Sequence, residues 1–288
     1  MEARRVEVLK EVQRARDMAE LLEWAVEAVS TADKDTLCVI AVHAAAQAGV
    51  DMNTRAEAAA GEEPKERWLS VAAKEGLGET VRALLETGAE VDHVNNLGRT
   101  ALWGAALHGR VEALQALLAA GAEVDHEDNR GQSALGHAAS NGKVEAVQAL
   151  LAAGAEVNHA SNLGHTALSG AAGNGHVGAI QVLLEAGAEV DHVNINGCTA
   201  LCVAASNGEV DAVRALLAAG AGVNRASNNG YTALWGAALC GKVEAIRALL
   251  LAGADFNHAS QGDSPLAIAR IMHREEAALA LVEAGATE

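Results

Sequence analysis

The residues with the clearest capacity for chemistry are eleven histidines and four cysteines, since imidazoles and thiols bind metal ions and act in catalysis. Some histidines are scattered and are interpreted as surface or packing residues: His43, His108, His137, His165, His176 and His273. Five others follow an Asp or Asn at one recurring position, where Arg225 replaces a further histidine: His93, His126, His159, His192 and His258. Only this row has a regular spacing that a site could use.

The histidine row belongs to a sequence pattern that repeats along the chain. Residues 90–109 read EVDHVNNLGRTALWGAALHG and residues 222–241 read GVNRASNNGYTALWGAALCG, an offset of 132, or four times 33. One leucine marks each copy, and the last arrives one residue early: Leu69, Leu102, Leu135, Leu168, Leu201, Leu234 and Leu266. A fixed period of this length indicates a stacked array of helical units rather than separate globular domains.

One copy predicts a turn, two helices and an arm. The turn at 95–98 leads to Thr100, which is a suitable N-cap for a short first helix ending at Gly109. Apolar residues at spacings of three and four over 111–118 predict a longer, amphipathic second helix. Residues 123–126 alternate as in an extended arm.

This pattern resembles the ankyrin repeat. The matching text is GRTALWGAALHG followed by EALQALLAAGAEVD at 98–125, and further copies begin at Gly131, Gly164, Gly197 and Gly230. The last copy, SPLAIARIMHREEAALALVEAGA, is similar to a terminal capping repeat, with polar residues where another repeat would pack. The resemblance implies an all-α ankyrin-repeat solenoid of stacked helix-turn-helix units with short β-hairpin loops. It also implies that hairpin tips and first helices line a concave surface that binds other proteins.

The expected domains are an N-terminal helical cap with a degenerate repeat and charged loop at 1–66, ankyrin repeats of 33-residue period at 67–263, and a C-terminal capping repeat at 264–288. The family's usual Thr-Pro-Leu-His is Thr-Ala-Leu-Trp at 100–103, and only Pro265 keeps the proline. Because the missing histidine would link helix to hairpin, we expect less rigid hairpins.

Trp103 and Trp235 are each followed by a glycine inside a first helix. Glycine there costs about 0.5–1 kcal/mol relative to Ala and needs a packing reason, which the adjacent indole suggests. We expect each indole to lie across the neighbouring first helix, on Gly136 or Ala267, with its N–H bound to a carbonyl or water. Alternatively, the exposed part of each ring anchors a partner.

Residues that vary between copies mark the positions that the fold leaves free. Apolar residues on the turns either form an interaction edge or are exposed by chance: Leu97, Leu163, Ile195 and Tyr231. The candidate partner-binding residues are Leu97, Arg99, Trp103, His108, Arg130, Gln132, Leu163, His165, Ile195, Asn196, Asn229, Tyr231 and Trp235.

The histidine row admits three interpretations. Equivalent residues of stacked repeats stand about 10 Å apart, whereas zinc needs nitrogens at about 2.0–2.1 Å, so neither a metal site nor another cofactor is expected. We favour a structural role, in which each imidazole bonds its own hairpin in place of the missing first-helix histidine. The alternative is a row that gains charge on mild acidification and changes partner affinity.

Composition limits the partners. A formal charge of −17 argues against nucleic acid and favours a basic protein partner. No apolar run reaches the roughly 18 residues of a membrane span, so no membrane contact is expected. The four cysteines show neither a disulfide framework nor a zinc-binding spacing, and we interpret them as small buried residues: Cys38, Cys198, Cys202 and Cys240. Reduced cysteines predict an intracellular compartment, the cytoplasm or the nucleus. The chain is expected to be a monomer.

The favoured function is a non-catalytic protein-protein interaction scaffold, because no phosphate-binding glycine loop, nucleophile motif or paired metal spacing appears. An enzyme or metal protein using the histidines is a second hypothesis, which their scatter disfavours. A third is an adaptor whose N-terminal helix recruits an effector enzyme while the repeats select the client. Only Ala284 to Glu288 follow the last predicted helix, so that recruiting element is expected in the first 35 residues.

Overall fold

The structure is a computed structural model that describes residues 38, 39, 42, 43, 46, 68–260 and 262–287. It contains two compact units, Met1–Asn129 and Arg130–Glu288. The predicted N-terminal cap and charged loop at 1–66 lie almost entirely outside the described residues, so they stay predictions.

Paired helices build both units, with a first and a second helix in each repeat. In the described part of Met1–Asn129 they are α1 (Trp68–Glu75), α2 (Gly78–Glu86), α3 (Ala101–His108) and α4 (Val111–Ala119). Arg130–Glu288 contains α5 (Ala134–Ser140), α6 (Val144–Ala152), α7 (Ala167–Gly173), α8 (Val177–Glu185), α9 (Ala200–Asn207), α10 (Val210–Ala218), α11 (Ala233–Cys240), α12 (Val243–Leu251), α13 (Pro265–Ile271) and α14 (Glu275–Glu283). The predicted all-α class and the helix-turn-helix repeat are confirmed.

First helices begin at a hydroxyl cap. Thr100 accepts a hydrogen bond from the backbone N–H of Trp103 at 3.3 Å, and Thr232 accepts one from Trp235 at 3.2 Å. Each bond satisfies an N–H group that the first turn of a helix leaves unpaired. Gly109 ends α3 with φ of 67°, a left-handed conformation that glycine adopts without steric cost. Both ends of this helix agree with the sequence prediction.

Second helices are held by their buried face rather than by a side-chain cap. In α4 the buried residues include Leu114 and Leu117, while Glu112 and Gln115 are exposed. Complete burial of one leucine contributes about 1.5–3 kcal/mol, so two such residues per helix are a large part of the stability of a repeat. The predicted amphipathic helix is confirmed.

The arm before each hairpin is a turn, so the prediction of an extended segment over 123–126 is wrong. The N–H of His126 donates to the carbonyl of Glu123 at 3.3 Å. The N–H of Glu123 donates to the Asp92 side chain, one repeat earlier, at 3.1 Å. Because a side chain supplies this acceptor, no neighbouring strand is needed. The β pairing of the described residues consists of two isolated bridges, Ala160–Thr166 and Ser260–Asp263.

Glycines inside two first helices of Arg130–Glu288 make room for the preceding first helix. A Cβ on Gly170 of α7 would overlap the Ser140 hydroxyl of α5, and a Cβ on Gly236 of α11 would overlap the Ser206 hydroxyl of α9. Gly170 follows Ser169 rather than a tryptophan. The packing reason for these glycines is therefore a serine, and the predicted link to the adjacent indole is wrong.

The last repeat exposes apolar as well as polar side chains. Arg270 and His273 are exposed, as a terminal cap requires, but Ile271 is 57% exposed and Met272 is 40% exposed. The expected exposed polar residues are therefore present, together with apolar ones that the sequence analysis did not mention.

Candidate partner-binding surface

Each hairpin tip is a tight turn closed by its own polar groups. The N–H of Asn95 donates to the carbonyl of Arg99 at 3.0 Å, and the N–H of Gly98 donates to the carbonyl of Asn95 at 2.9 Å. The Asn95 side chain also accepts from the N–H of Leu97 at 2.9 Å and from that of Arg99 at 3.1 Å. These bonds lie inside the turn, so Asn96 and Leu97 are left exposed at its tip.

Backbone hydrogen bonds hold neighbouring tips in register within each unit. In Met1–Asn129, the N–H of Asn129 donates to the Leu97 carbonyl at 3.0 Å, and the Asn129 side-chain amide donates to the Asn96 carbonyl at 3.0 Å. In Arg130–Glu288, the N–H of Ile195 donates to the Leu163 carbonyl at 3.1 Å. A side chain on one tip therefore has a fixed position relative to the next.

Ile195 departs from the pattern of the other tips. The equivalent residue is asparagine in four copies: Asn96, Asn129, Asn162 and Asn228. Ile195 has no amide to donate to the preceding tip, and its side chain is 59% exposed beside Leu163, which is 56% exposed. Two adjacent exposed apolar side chains on turns are a feature of interaction surfaces more than of structural loops.

The other predicted partner-binding residues differ in exposure. Leu97 is 52% exposed. His108, Arg130, Asn196 and Asn229 are also exposed, whereas Gln132 and His165 are half-buried. The prediction missed Val94 and Val193, which are 40% and 38% exposed just before their tips. The sequence could have indicated their exposure, because the same position holds the charged residue Glu127 in another copy and therefore varies between copies.

Each predicted tryptophan stacks on a residue of its own hairpin. The guanidinium carbon of Arg99 lies 4.0 Å from the centre of the Trp103 ring. The rings of Tyr231 and Trp235 stack with centroids 4.0 Å apart and planes 17° apart. The sequence prediction of packing across a neighbouring helix missed this contact within the repeat, although a planar residue stands four positions before each tryptophan.

Trp235 is buried beneath its stacking partner. Its side chain is only 8% exposed, and its Nε1–H has no hydrogen-bond partner among the described residues. The predicted carbonyl acceptor is therefore missing from this part of the chain. Tyr231 is half-buried and is the member of the pair that a partner can reach.

The histidine row joins each arm to the preceding hairpin. His126 Nε2 lies 3.1 Å from the Gly98 carbonyl oxygen, and His159 Nε2 lies 3.0 Å from that of Gly131. His258 repeats the contact at 3.1 Å. Because a carbonyl oxygen only accepts, Nε2 is the donor. The imidazoles have a structural contact. The carbonyl belongs to the hairpin that opens the same copy, 28 residues earlier in the chain, and not to the hairpin into which the arm leads.

The other ring nitrogen faces an acid three residues before the histidine. The Nδ1 to carboxylate distances are 3.7 Å for His93–Glu90, 3.3 Å for His126–Glu123, 4.0 Å for His159–Glu156 and 3.6 Å for His192–Glu189. Where Arg225 replaces the histidine, Gly222 replaces the acid, and Arg225 lies 3.8 Å from Asp191. Histidine and acid thus change together. Within the described ranges, no cluster of three or more His, Cys, Asp or Glu is placed to hold a metal ion.

Acidic charge is absent from three tips of Arg130–Glu288. The segments 160–165, 193–198 and 226–231 contain no Asp or Glu. Acids on the second helices pair with an arginine three residues later, at 3.2 Å for Asp211–Arg214 and 2.7 Å for Glu244–Arg247. A partner therefore meets no carboxylate side chain on these three tip segments.

Cys198 and Cys202 occupy the two positions that hold the stacked pairs in other copies. Cys202 is buried and Cys198 is half-buried, and the Thr199 hydroxyl donates to Cys202 Sγ at 3.5 Å. Burial raises the pKa of the Cys198 thiol, and the charge of the nearby Cys202 raises this pKa further. Cys198 is therefore a neutral thiol near neutral pH. Cys38 is buried and Cys240 half-buried, so burial as predicted from sequence applies to two of the four cysteines.

Helix pairs joined by hairpins, with neighbouring repeats bonded to one another within each unit, define a class of tandem-repeat proteins. Within that class the chain belongs to the ankyrin-repeat family. The family described as Ankyrin repeats (3 copies) matches residues 69–161, 105–194, 135–227, 168–260 and 219–287. These ranges cover more than half of the chain, and the resemblance noted in the sequence is confirmed.

A similar solved structure is that of the human ASB11 ankyrin repeat domain. It shares 28% sequence identity with a TM-score of 0.70, and the match covers 77% of this chain and 100% of the other. No curated protein matches the chain. The fold is thus an ankyrin-repeat solenoid, which is typically non-catalytic and generally serves protein-protein interaction. No described helix is both long and apolar enough to cross a membrane.

Proposed function

We propose that the chain is a non-catalytic scaffold that binds a partner protein through its hairpin tips and the first-helix face beside them, which the family resemblance makes concave. The observation that carries this proposal is the pair Leu163 and Ile195, 56% and 59% exposed on adjacent tips. A backbone hydrogen bond of 3.1 Å between the two residues holds the tips in register. A partner therefore meets a preorganised apolar pair, which lowers the ordering cost of binding.

Tyr231 supports the same surface. Its ring rests on Trp235 and needs no further ordering, and tyrosine is enriched among residues that dominate binding energy. The proposed partner is a protein with a basic region, which the charge of −17 attracts. The proposal also includes a monomer in a reducing compartment, the cytoplasm or the nucleus, in keeping with four free cysteines.

The test uses asparagine at both apolar tip positions. Leu163→Asn and Ile195→Asn introduce the residue that the repeat already uses at these positions, in Asn196 and Asn228 for example, so the fold is expected to persist. A partner is first captured with the intact chain, and its affinity is then measured with purified proteins. The double variant is expected to bind about tenfold or more weakly, because central interface residues contribute about 1–2 kcal/mol or more each.

The matched control is Gln148→Ala with Gln181→Ala, two exposed residues of the second helices α6 and α8 in the same unit. This control is expected to bind like the wild type. Loss of binding in the control with full binding by the tip variant would place the interface on the second helices and overturn the proposal. Thermal unfolding of both variants establishes that the fold is intact.

Deleting residues 1–35 distinguishes the scaffold from the adaptor. A scaffold keeps its tip-bound partner after this deletion. Unchanged stability with selective loss of a second partner would favour an adaptor that recruits an effector through its N-terminal segment.

A further inference from the structure

The register of the repeat brings Cys198 and Cys202 to the same side of a hairpin-helix junction. Other copies show that side chains at these two positions converge. The observed contacts, each at 4.0 Å, are Tyr231 with Trp235 and Arg99 with Trp103. In the copy between Gly197 and Gly230, the same two positions hold Cys198 and Cys202.

Both cysteines stand on anchored backbone. The N–H of Cys198 donates to the Asn194 side chain at 3.0 Å, which fixes the end of the hairpin. The N–H of Cys202 donates to the Thr199 hydroxyl oxygen at 3.3 Å, which fixes the first turn of α9. The influence of Cys202 on the pKa of Cys198 agrees with their proximity. Cys198 is half-buried, so a small reagent can reach the pair from its side.

We propose that Cys198 and Cys202, at the junction of hairpin and α9, form a dithiol site that chelates a thiophilic trivalent element such as arsenic(III). Thiolates and thioethers are the soft ligands that bind such centres in proteins. With phenylarsine oxide, two As–S bonds form and the bond between arsenic and oxygen breaks. The two thiol protons leave with that oxygen as one water molecule. Arsenic stays trivalent, so no oxidant or reductant is needed, and the site does not depend on the proposed partner binding.

The second As–S bond is what distinguishes a chelate from a simple thiol adduct. Once one thiol is bonded, the other attacks at a high effective concentration, so a paired site holds its ligand about 100-fold or more tightly than a single thiol. A monothiol in excess therefore removes the arsenical from isolated cysteines but not from the pair. A small-molecule dithiol removes it from both.

The experiment treats the full chain with one equivalent of phenylarsine oxide, followed by excess 2-mercaptoethanol and intact mass spectrometry. The test variants are Cys198→Ser and Cys202→Ser, and the control is Cys240→Ser. Serine fits the buried position, because Ser169 occupies it one repeat earlier. The wild type and Cys240→Ser are expected to keep one arsenical per chain and to release it to dimercaptopropanol. Each test variant is expected to retain it about 100-fold more weakly.

Retention by either test variant equal to that of the wild type would overturn the proposal, and so would loss of the arsenical from the wild type on monothiol treatment. Alkylation of the wild-type adduct with iodoacetamide locates the bridge without any substitution. Peptide mapping is expected to find Cys198 and Cys202 both protected. An alkylated Cys198 or Cys202 in the retained adduct would exclude the bridge even if a variant failed to fold.

Discussion

At the hairpin-helix junction, the same two positions hold different pairs of side chains in different copies of the repeat. One copy places Arg99 over Trp103, another stacks Tyr231 on Trp235, and a third has Cys198 and Cys202 at the same two positions. The capped first helix is common to all three, because Thr100, Thr199 and Thr232 each accept an N–H three residues later. The repeat therefore supplies the geometry, and the two side chains decide the interaction.

Trp235→Ala is expected to destabilise the protein by about 3–5 kcal/mol, the usual cost of removing a large buried aromatic side chain. The residue is 8% exposed and supports Tyr231. Urea unfolding followed by circular dichroism measures the loss. Trp103→Ala removes a half-buried ring and is expected to cost less. Unchanged unfolding of Trp235→Ala together with lost partner binding would contradict the packing role and favour an anchor role.

His126→Ala is expected to lower stability by about 0.5–1.5 kcal/mol without abolishing the fold, because it removes one hydrogen bond to the preceding hairpin. The bond joins Nε2 to the Gly98 carbonyl at 3.1 Å. The control Gln115→Ala changes an exposed residue of the same unit and is expected to stay within about 0.5 kcal/mol of the wild type. Equal urea midpoints for both variants would show that the histidine hydrogen bond does not contribute to stability.

At the scale of the helices, stability depends on small residues facing one another. First helices of Arg130–Glu288 approach closely because Gly170 faces Ser140 and Gly236 faces Ser206. Gly173 similarly faces Val203, whose Cγ1 would lie 2.8 Å from an added Cβ. Interiors packed at this density resist the addition of even one methyl group.

Gly170→Ala and Gly104→Ala are expected to change stability in opposite directions. Alanine in a helix gains up to about 1 kcal/mol over glycine. A Cβ at Gly104 would lie 3.9 Å from Lys74 Cβ, an ordinary van der Waals distance, so Gly104→Ala is expected to stabilise. At Gly170 the overlap with the Ser140 hydroxyl outweighs that gain, since overpacking costs about 1–3 kcal/mol.

Chemical unfolding of both variants measures this difference, and adding Ser140→Ala to Gly170→Ala is expected to recover much of the loss. Equal stabilisation by Gly170→Ala and Gly104→Ala would show that neighbouring helices move apart freely.

For the molecule as a whole, the acidic residues and the proposed contact surface lie on different parts of the repeats. The chain carries −17, yet three tips of Arg130–Glu288 contain no acid. Fields from the second helices and arms act on an approaching partner over distances of about 10 Å at 0.1 M salt. The proposed short-range contact at the tips is apolar and aromatic. Charge is therefore expected to affect the rate of encounter more than the lifetime of the complex.

Association with an identified basic partner is expected to slow by about tenfold or more as sodium chloride rises from low to high concentration, because salt screens electrostatic steering. The dissociation rate is expected to change much less. Stopped-flow mixing over a salt series measures both rates. An association rate that does not depend on ionic strength would exclude steering by the acidic charge.

Local signals were sufficient to predict the repeat. The 33-residue period, the threonine caps and the apolar spacing of the second helices depend on residues close in sequence, so they could be read directly. The resemblance to the ankyrin repeat placed Leu97, Leu163 and Ile195 on hairpin tips, and the structure has them exposed there. Family membership followed from many matching positions in several copies.

The sequence by itself determined the repeat and its solvent-facing variable positions, and the tertiary structure decided which residues distant in sequence hydrogen-bond to each other. The Asp92 side chain binds the N–H of Glu123, and His126 binds the carbonyl of Gly98, so each contact spans about one repeat. Their partners depend on the rise and rotation between repeats, which no local pattern specifies. For the same reason the reading of 123–126 as an extended arm failed: its hydrogen-bond partner was a side chain of another repeat rather than a strand.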